Sequence, residues 1–134
     1  MKKVTNILAM ILIIGLMCTK NDSMAQQLGD KVYWMSTIEI PLGKLSDFHS
    51  FNMQELAPLM EDHGYKQIVI WQTIVGDIEE VITVSEFENM TAYHKARRSL
   101  LGSAEWKKAA KKFGNLSKSI KTRFLSATPY SKLK

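Results

Sequence analysis

The run "KVYWMSTIEI", Lys31 to Ile40, is rich in β-branched and aromatic residues, which predicts a strand. Apolar side chains fall on both faces, Val32, Trp34 and Ile38 on one, Tyr33 and Met35 on the other. A strand apolar on both faces is covered on both. "PLGK" breaks it. The spacing then turns helical in "KLSDFHSFNMQELAPLMEDHG", where Leu45, Phe48, Leu56, Leu59 and Met60 recur on one side. Pro58 is expected to kink this helix or end its main part, and Gly64 to stop it. Two β-rich runs follow, "YKQIVIWQTIV" and "EEVITVSEF", joined by Gly76-Asp77-Ile78 as a hairpin loop. The first is again apolar on both faces, with Ile68, Ile70 and Ile74 opposite Val69, Trp71 and Val75.

Helical patterning returns after Glu88. Asn89 can cap one helix; Gly102-Ser103 breaks it; Ser103 can cap "AEWKKAAKKF", with Gly114 after it. A last strand near "SIKTRFLSAT" ends at Pro129. The order β-α-β-β-α-β predicts an α+β fold of the ferredoxin-like, split βαβ type. It is a four-stranded antiparallel sheet with helices on one face. The other face, also apolar, calls for a second subunit, so a homodimer is expected.

The first residues read differently. "MKKVTNILAMILIIGLMC" has a basic start and an apolar run from Ile7 to Cys18, short for a bilayer span. "TKNDSMA" follows, with small residues Ser23 and Ala25 placed for cleavage. Residues 1–25 are therefore expected to be a signal peptide and 26–134 the single mature domain, secreted or periplasmic, without stable membrane insertion after cleavage. Lipidation at Cys18 and an uncleaved anchor are the alternatives, and Leu16 and Met17 before Cys18 are larger than a lipidation signal wants. Cys18 is the only cysteine, so the mature chain has no disulfide, thiolate metal site or cysteine nucleophile.

Charge is unevenly spread. Residues 26–94 hold 3 basic and 11 acidic side chains, whereas residues 95–134 hold 12 basic and one acidic. A basic end suggests nucleic acid. Export and the acidic half both argue against that partner, and the expected outcome is that the two halves lie side by side and pair.

Four stretches in order carry a resemblance: "IPLGKLSDF", "HGYKQIVIWQTIVGDIEEVITVSEFEN", "ARRSLLGSAEW" and "SATPYSKL". From about Val32 to Leu133 the chain resembles the NIPSNAP family of the dimeric α/β-barrel superfamily. The resemblance implies a ferredoxin-like subunit whose free sheet face pairs with a second copy. The family's molecular activity is poorly defined, so no reaction comes with it. The superfamily includes oxygenases, some cofactor-free and some haem-degrading. Haem-degrading members look similar in "SAEWKKAAKKF", but carry their iron-ligating histidine at about the position of Ala110, so haem degradation is disfavoured and no cofactor is implied.

The residues themselves spell out no reaction. His49, His63 and His94 include no i, i+4 pair for a helical metal site, and no G-x-S-x-G elbow or phosphate loop is present. In folds of this kind a pocket lies between sheet and helices. The residues expected to line it are Trp71 from the sheet, His49 and Asn52 from the first helix, and Tyr93 and Arg97 from the second. Each also has a plain reading, as core for Trp71 and as solvated or charge-paired surface for the others. Two functions follow: a module binding a small apolar or aromatic ligand or a protein, or a cofactor-free oxygenase or isomerase acting on an aromatic or quinone-like molecule.

Overall fold

A computed structural model describes residues 31–76 and 79–133. The expected signal peptide, and Asp77 and Ile78 of the hairpin loop, lie outside the described residues. Strand β1 (Val32–Ile40) leads into helix α1 (Leu45–Phe51), a π-helical turn (Asn52–Leu56) and helix α2 (Ala57–Asp62). Strands β2 (Lys66–Gln72) and β3 (Glu79–Phe87) follow, then helices α3 (Met90–Gly102) and α4 (Ala104–Leu116), and strand β4 (Ser119–Leu125). The sheet order is β2-β3-β1-β4, with each neighbouring pair antiparallel. This is the expected ferredoxin-like plan.

Local chemistry sets most of the boundaries. Asn89 accepts a hydrogen bond from the Ala92 N–H and Ser103 accepts one from the Trp106 N–H, so both act as N-caps. Gly64 takes φ +90° just after α2, a conformation that a side chain resists. Three expectations shift. Strand β2 ends at Gln72 rather than Val75, leaving Ile74 and Val75 exposed in the connection. Strand β4 ends at Leu125, before "SAT". Helix α4 runs through Gly114 to Leu116, where Ser117 becomes extended. A glycine in an exposed helix weakens it without stopping it when the flanking residues pair normally.

Register assigns the faces. Val32, Trp34, Ser36, Ile38 and Ile40 pair with Phe87, Ser85, Thr83, Val81 and Glu79, and this row faces the helices. Tyr33, Met35 and Val84 lie on the other face. There the segment after β4 returns, so that Ala127, Ser131 and Leu133 border a hollow with Tyr33, Val69 and Trp71. The helix-free face is thus partly covered by the chain's own end.

The acidic and basic halves do meet. Lys112 bonds Glu55 and Lys118 bonds Glu39. Such exposed pairs add little stability, so their lesson is placement. Glu86 differs, being only 7% exposed and held by Lys66 Nζ at 2.7 Å and Lys31 Nζ at 3.4 Å. The Lys66 hydrogen bond, aided by Lys31, holds its carboxyl below the ordinary 4.5 against the opposing effect of burial. A carboxyl whose folded pKa is depressed stabilises the fold above its unfolded pKa and loses that contribution as pH falls through the folded value. Glu86→Gln is therefore expected to flatten the decline of the urea midpoint as the pH falls through and below the ordinary glutamate range. Superimposable pH curves for the two proteins would show that the lysines do not hold Glu86 in solution.

Candidate functional site

Apolar packing on the helix-facing side of the sheet is interrupted. Thr122, Ser36 and Thr83 occupy one cross-strand row, and the Ser36 and Thr83 hydroxyls are 2.7 Å apart. The core accordingly divides in two. One cluster gathers Phe51, Leu56, Met60, Tyr65, Phe87 and Tyr93; the other gathers Ile38, Ile40, Phe48 and Val81. A cavity of about 250 Å³ lies over the hydroxyl row, roofed by the helices. A larger hollow of about 630 Å³ opens at the end of the sheet, among the exposed loop side chains Leu42, Ile74 and Val75. Its walls combine strand ends with the segment Thr73–Gly76, which runs into the undescribed residues, whereas the lining of the smaller cavity comes mainly from the sheet and helices. The smaller one is the candidate site.

The π-helical turn aims the main polar group. The Ala57 N–H reaches back five residues to the Asn52 carbonyl, one more than in an α-helix. Pro58 explains why. It has no N–H to give, and in a regular α-helix its ring would clash with the carbonyl four residues earlier. The wide turn takes up that conflict without ending the helix. Phe48, Asn52 and Leu56, spaced by four, all turn inward and are buried. Asn52 is 6% exposed, borders the cavity, and its side-chain amide has no hydrogen-bond partner among the described residues. A second amide is half satisfied: Gln67 Nε2 donates to Met60 Sδ at 3.6 Å, while its Oε1 is buried without a partner among the described residues. Buried polar groups are rarely left so, and each calls for an explanation.

Aromatic rings close the inner end. Tyr65 meets Trp34, Phe87 and Tyr93 edge to face, at centroid distances of 5.5, 5.2 and 6.4 Å. Burial pushes the Tyr65 phenol up to about 12; the nearby Tyr93 adds to this and the Arg97 charge opposes it. At neutral pH Tyr65 is therefore a neutral hydroxyl and no base. Arg97 and Leu101, one helical turn apart on α3, are exposed lining residues and with Ile120 mark the mouth.

Of the five residues expected at the pocket, Asn52, Tyr93 and Arg97 border it. His49 does not. It lies one residue past the inward Phe48 and turns to the sheet edge, where its Nε2 is 2.9 Å from Gln72 Oε1. Trp71 is on the opposite face, 59% exposed, beside Tyr33 and Met35. The cause is a β-bulge. Gln67 pairs with Ser85 and Val69 with the next residue, Val84, so Ile68 is an extra residue. One extra residue exchanges the faces beyond it. Without the bulge, Trp71 would point at the helices as expected.

The sequence reading missed the hydroxyl row, Gln67 and Trp106. Ser36 in "YWMSTIEI" interrupts an otherwise apolar inward row, and Thr83 and Ser85 in "ITVSEF" stand between the inward Val81 and Phe87; that was the available signal.

Residues 33–132 match the family model described as NIPSNAP. The chain belongs to the NIPSNAP family. No curated protein matches it significantly. Among solved structures, a NIPSNAP family protein of unknown function from Agrobacterium tumefaciens str. C58 is 15% identical, with a TM-score of 0.74. The match covers 79% of this chain and 96% of that one. A second NIPSNAP protein from the same organism is 18% identical, with a TM-score of 0.73, covering 78% of this chain and 99% of that one. A mutant of SnoaB, a cofactor-independent oxygenase from Streptomyces nogalater, is 13% identical, with a TM-score of 0.55, covering 78% and 97%. At these identities the likenesses show a shared fold. This NIPSNAP chain thus shares the α+β, ferredoxin-like fold of these structures.

Proposed function

We propose that this NIPSNAP domain binds a small, mainly apolar aromatic molecule in the cavity between sheet and helices. The observation that carries the reading is Asn52, an inward residue whose amide makes no hydrogen bond among the described residues and borders a cavity walled by Trp34, Leu56, Tyr93, Leu100 and Phe113. Apolar walls with a few converging polar groups are the usual makeup of a ligand site. Asn52 and Gln67 would satisfy a carbonyl or hydroxyl on the ligand. The pattern of residues 1–25 supports export of the domain, and the two-faced strands support pairing of two copies through the helix-free face.

A second reading is a cofactor-free oxygenase or isomerase acting on a quinone-like or phenolic molecule. The likeness to SnoaB favours it. Such chemistry begins with loss of a substrate proton. No carboxylate or imidazole is among the described residues lining the cavity, so binding is the reading the geometry supports better. Dioxygen consumption with a phenolic ligand would move the balance to the enzyme.

Fluorescence tests the pocket itself. Trp34 and Trp106 line it and Trp71 does not. Menadione, a two-ring quinone, is expected to quench the wild type saturably and to quench Trp71→Phe with an unchanged dissociation constant. Trp34→Phe should lose a large part of the quenching. Quenching that disappears with Trp71 would place the ligand on the helix-free face and overturn the pocket reading.

A further inference from the structure

The mouth of the cavity carries a charge that the fold does not use. Arg97 borders the cavity, is exposed, and makes no ion pair among the described residues. Most basic side chains of this half are likewise unpaired among the described residues, Lys112 with Glu55 and Lys118 with Glu39 being the ones that pair, so what sets Arg97 apart is its place at the cavity. The lining residues that share the mouth, Leu101 and Ile120, are apolar. An arginine edged by apolar groups loses part of its hydration when a ligand seats beside it. That strengthens its attraction for an anion and favours a planar, two-oxygen group matching its fork.

Resting on the pocket reading above, we propose that the ligand is an amphipathic anion. Its aromatic body fills the cavity over the Ser36 and Thr83 hydroxyls, and an anionic oxygen group, a carboxylate or an enolate, is held by Arg97 at the mouth. Asn52 and Gln67 then meet a neutral oxygen on the inner part of the same molecule. The arrangement excludes neutral hydrocarbons as preferred ligands. It leaves Arg97 as the residue that selects by charge and the buried amides as those that select by polarity.

A matched pair of dyes tests this. Anilinonaphthalene sulfonate and N-phenylnaphthylamine share the same aromatic body, and only the first carries an anion, which stands in for the carboxylate. Both brighten on leaving water. The wild type is expected to bind the sulfonate about tenfold more tightly than the neutral amine, the scale of one partly exposed charge-assisted contact. Arg97→Gln should abolish the preference while leaving the affinity for the neutral dye within about twofold. Lys108→Gln, on α4 and not bordering the cavity, should leave the preference intact. Trp71→Ser should alter neither dye, which separates the cavity from the helix-free face. Equal binding of the two dyes by the wild type, or equal loss of preference in Arg97→Gln and Lys108→Gln, would overturn the anion proposal and leave the pocket reading standing. Failure of both dyes to bind would overturn both.

Discussion

Phe48→Ala is expected to destabilise the domain by about 3–5 kcal/mol, the usual effect of emptying a fully buried phenylalanine site. Phe48 is 0% exposed and lies at the centre of the smaller core cluster, with Ile38, Ile40 and Val81 beneath it. Its ring meets Phe113 edge to face at 6.3 Å, which links α1 to α4. Few neighbours can move to fill the space. Ile38, Ile40 and Val81 are fixed in paired strands, and Phe113 already borders the cavity on its other side. The void left by Phe48 would therefore join the existing cavity rather than collapse. A domain of this size has only about 5–15 kcal/mol of stability to lose. Urea unfolding should show the midpoint falling sharply with an unchanged slope. Phe48→Leu, which keeps most of the volume, should lose less than about 1.5 kcal/mol. A loss below about 1 kcal/mol for the alanine variant would mean that the two clusters can merge, and that the cavity is not rigidly held.

The parts of this fold that were legible in the sequence are those set by local chemistry. Strand β1 and strand β3 declare themselves through β-branched and aromatic runs, and Asn89 and Ser103 mark helix starts because their side chains can accept the free N–H groups. The ferredoxin-like plan then follows from the order of the elements. What was not legible depends on pairing between distant segments. Nothing in "YKQIVIWQ" says that Gln67 and Ile68 together oppose Ser85, yet that extra residue moves Trp71 from the helices to the opposite face. Pro58 announces a disturbance, but a kink, an end and a wide turn are alike in sequence. Only the packed structure shows that the wide turn is adopted, and that it brings Asn52 over the cavity. His49 was misplaced by a single residue, about 100° around the helix from the inward Phe48. The site thus consists of residues whose types were suggestive and whose directions came from tertiary structure.

Asn52→Leu is expected to raise stability and to weaken binding, and the combination separates a ligand site from a structural amide. Asparagine and leucine have similar shapes, so the swap keeps the packing around Leu56 and Trp34. A fully sealed amide without a partner costs roughly 1–3 kcal/mol in lost hydration, and Asn52, which borders the cavity, keeps part of its hydration and costs less. Leucine removes that penalty, adds apolar burial and is the better helix former. The variant should therefore be more stable by about 1 kcal/mol in urea unfolding, a direction few core substitutions take. Menadione, whose carbonyl is a partner for the amide, should bind about tenfold more weakly, since one lost hydrogen bond to a buried group is worth about 1.4 kcal/mol. N-phenylnaphthylamine has no carbonyl and should bind as well as before or better. Proteins keep such destabilising groups where function needs them, so gain of stability with loss of binding is the signature of a working site. If Asn52→Leu instead lowers stability, the amide is bonded within the protein in solution. The wide turn would then serve the fold, and the pocket would lose the residue on which its functional reading rests.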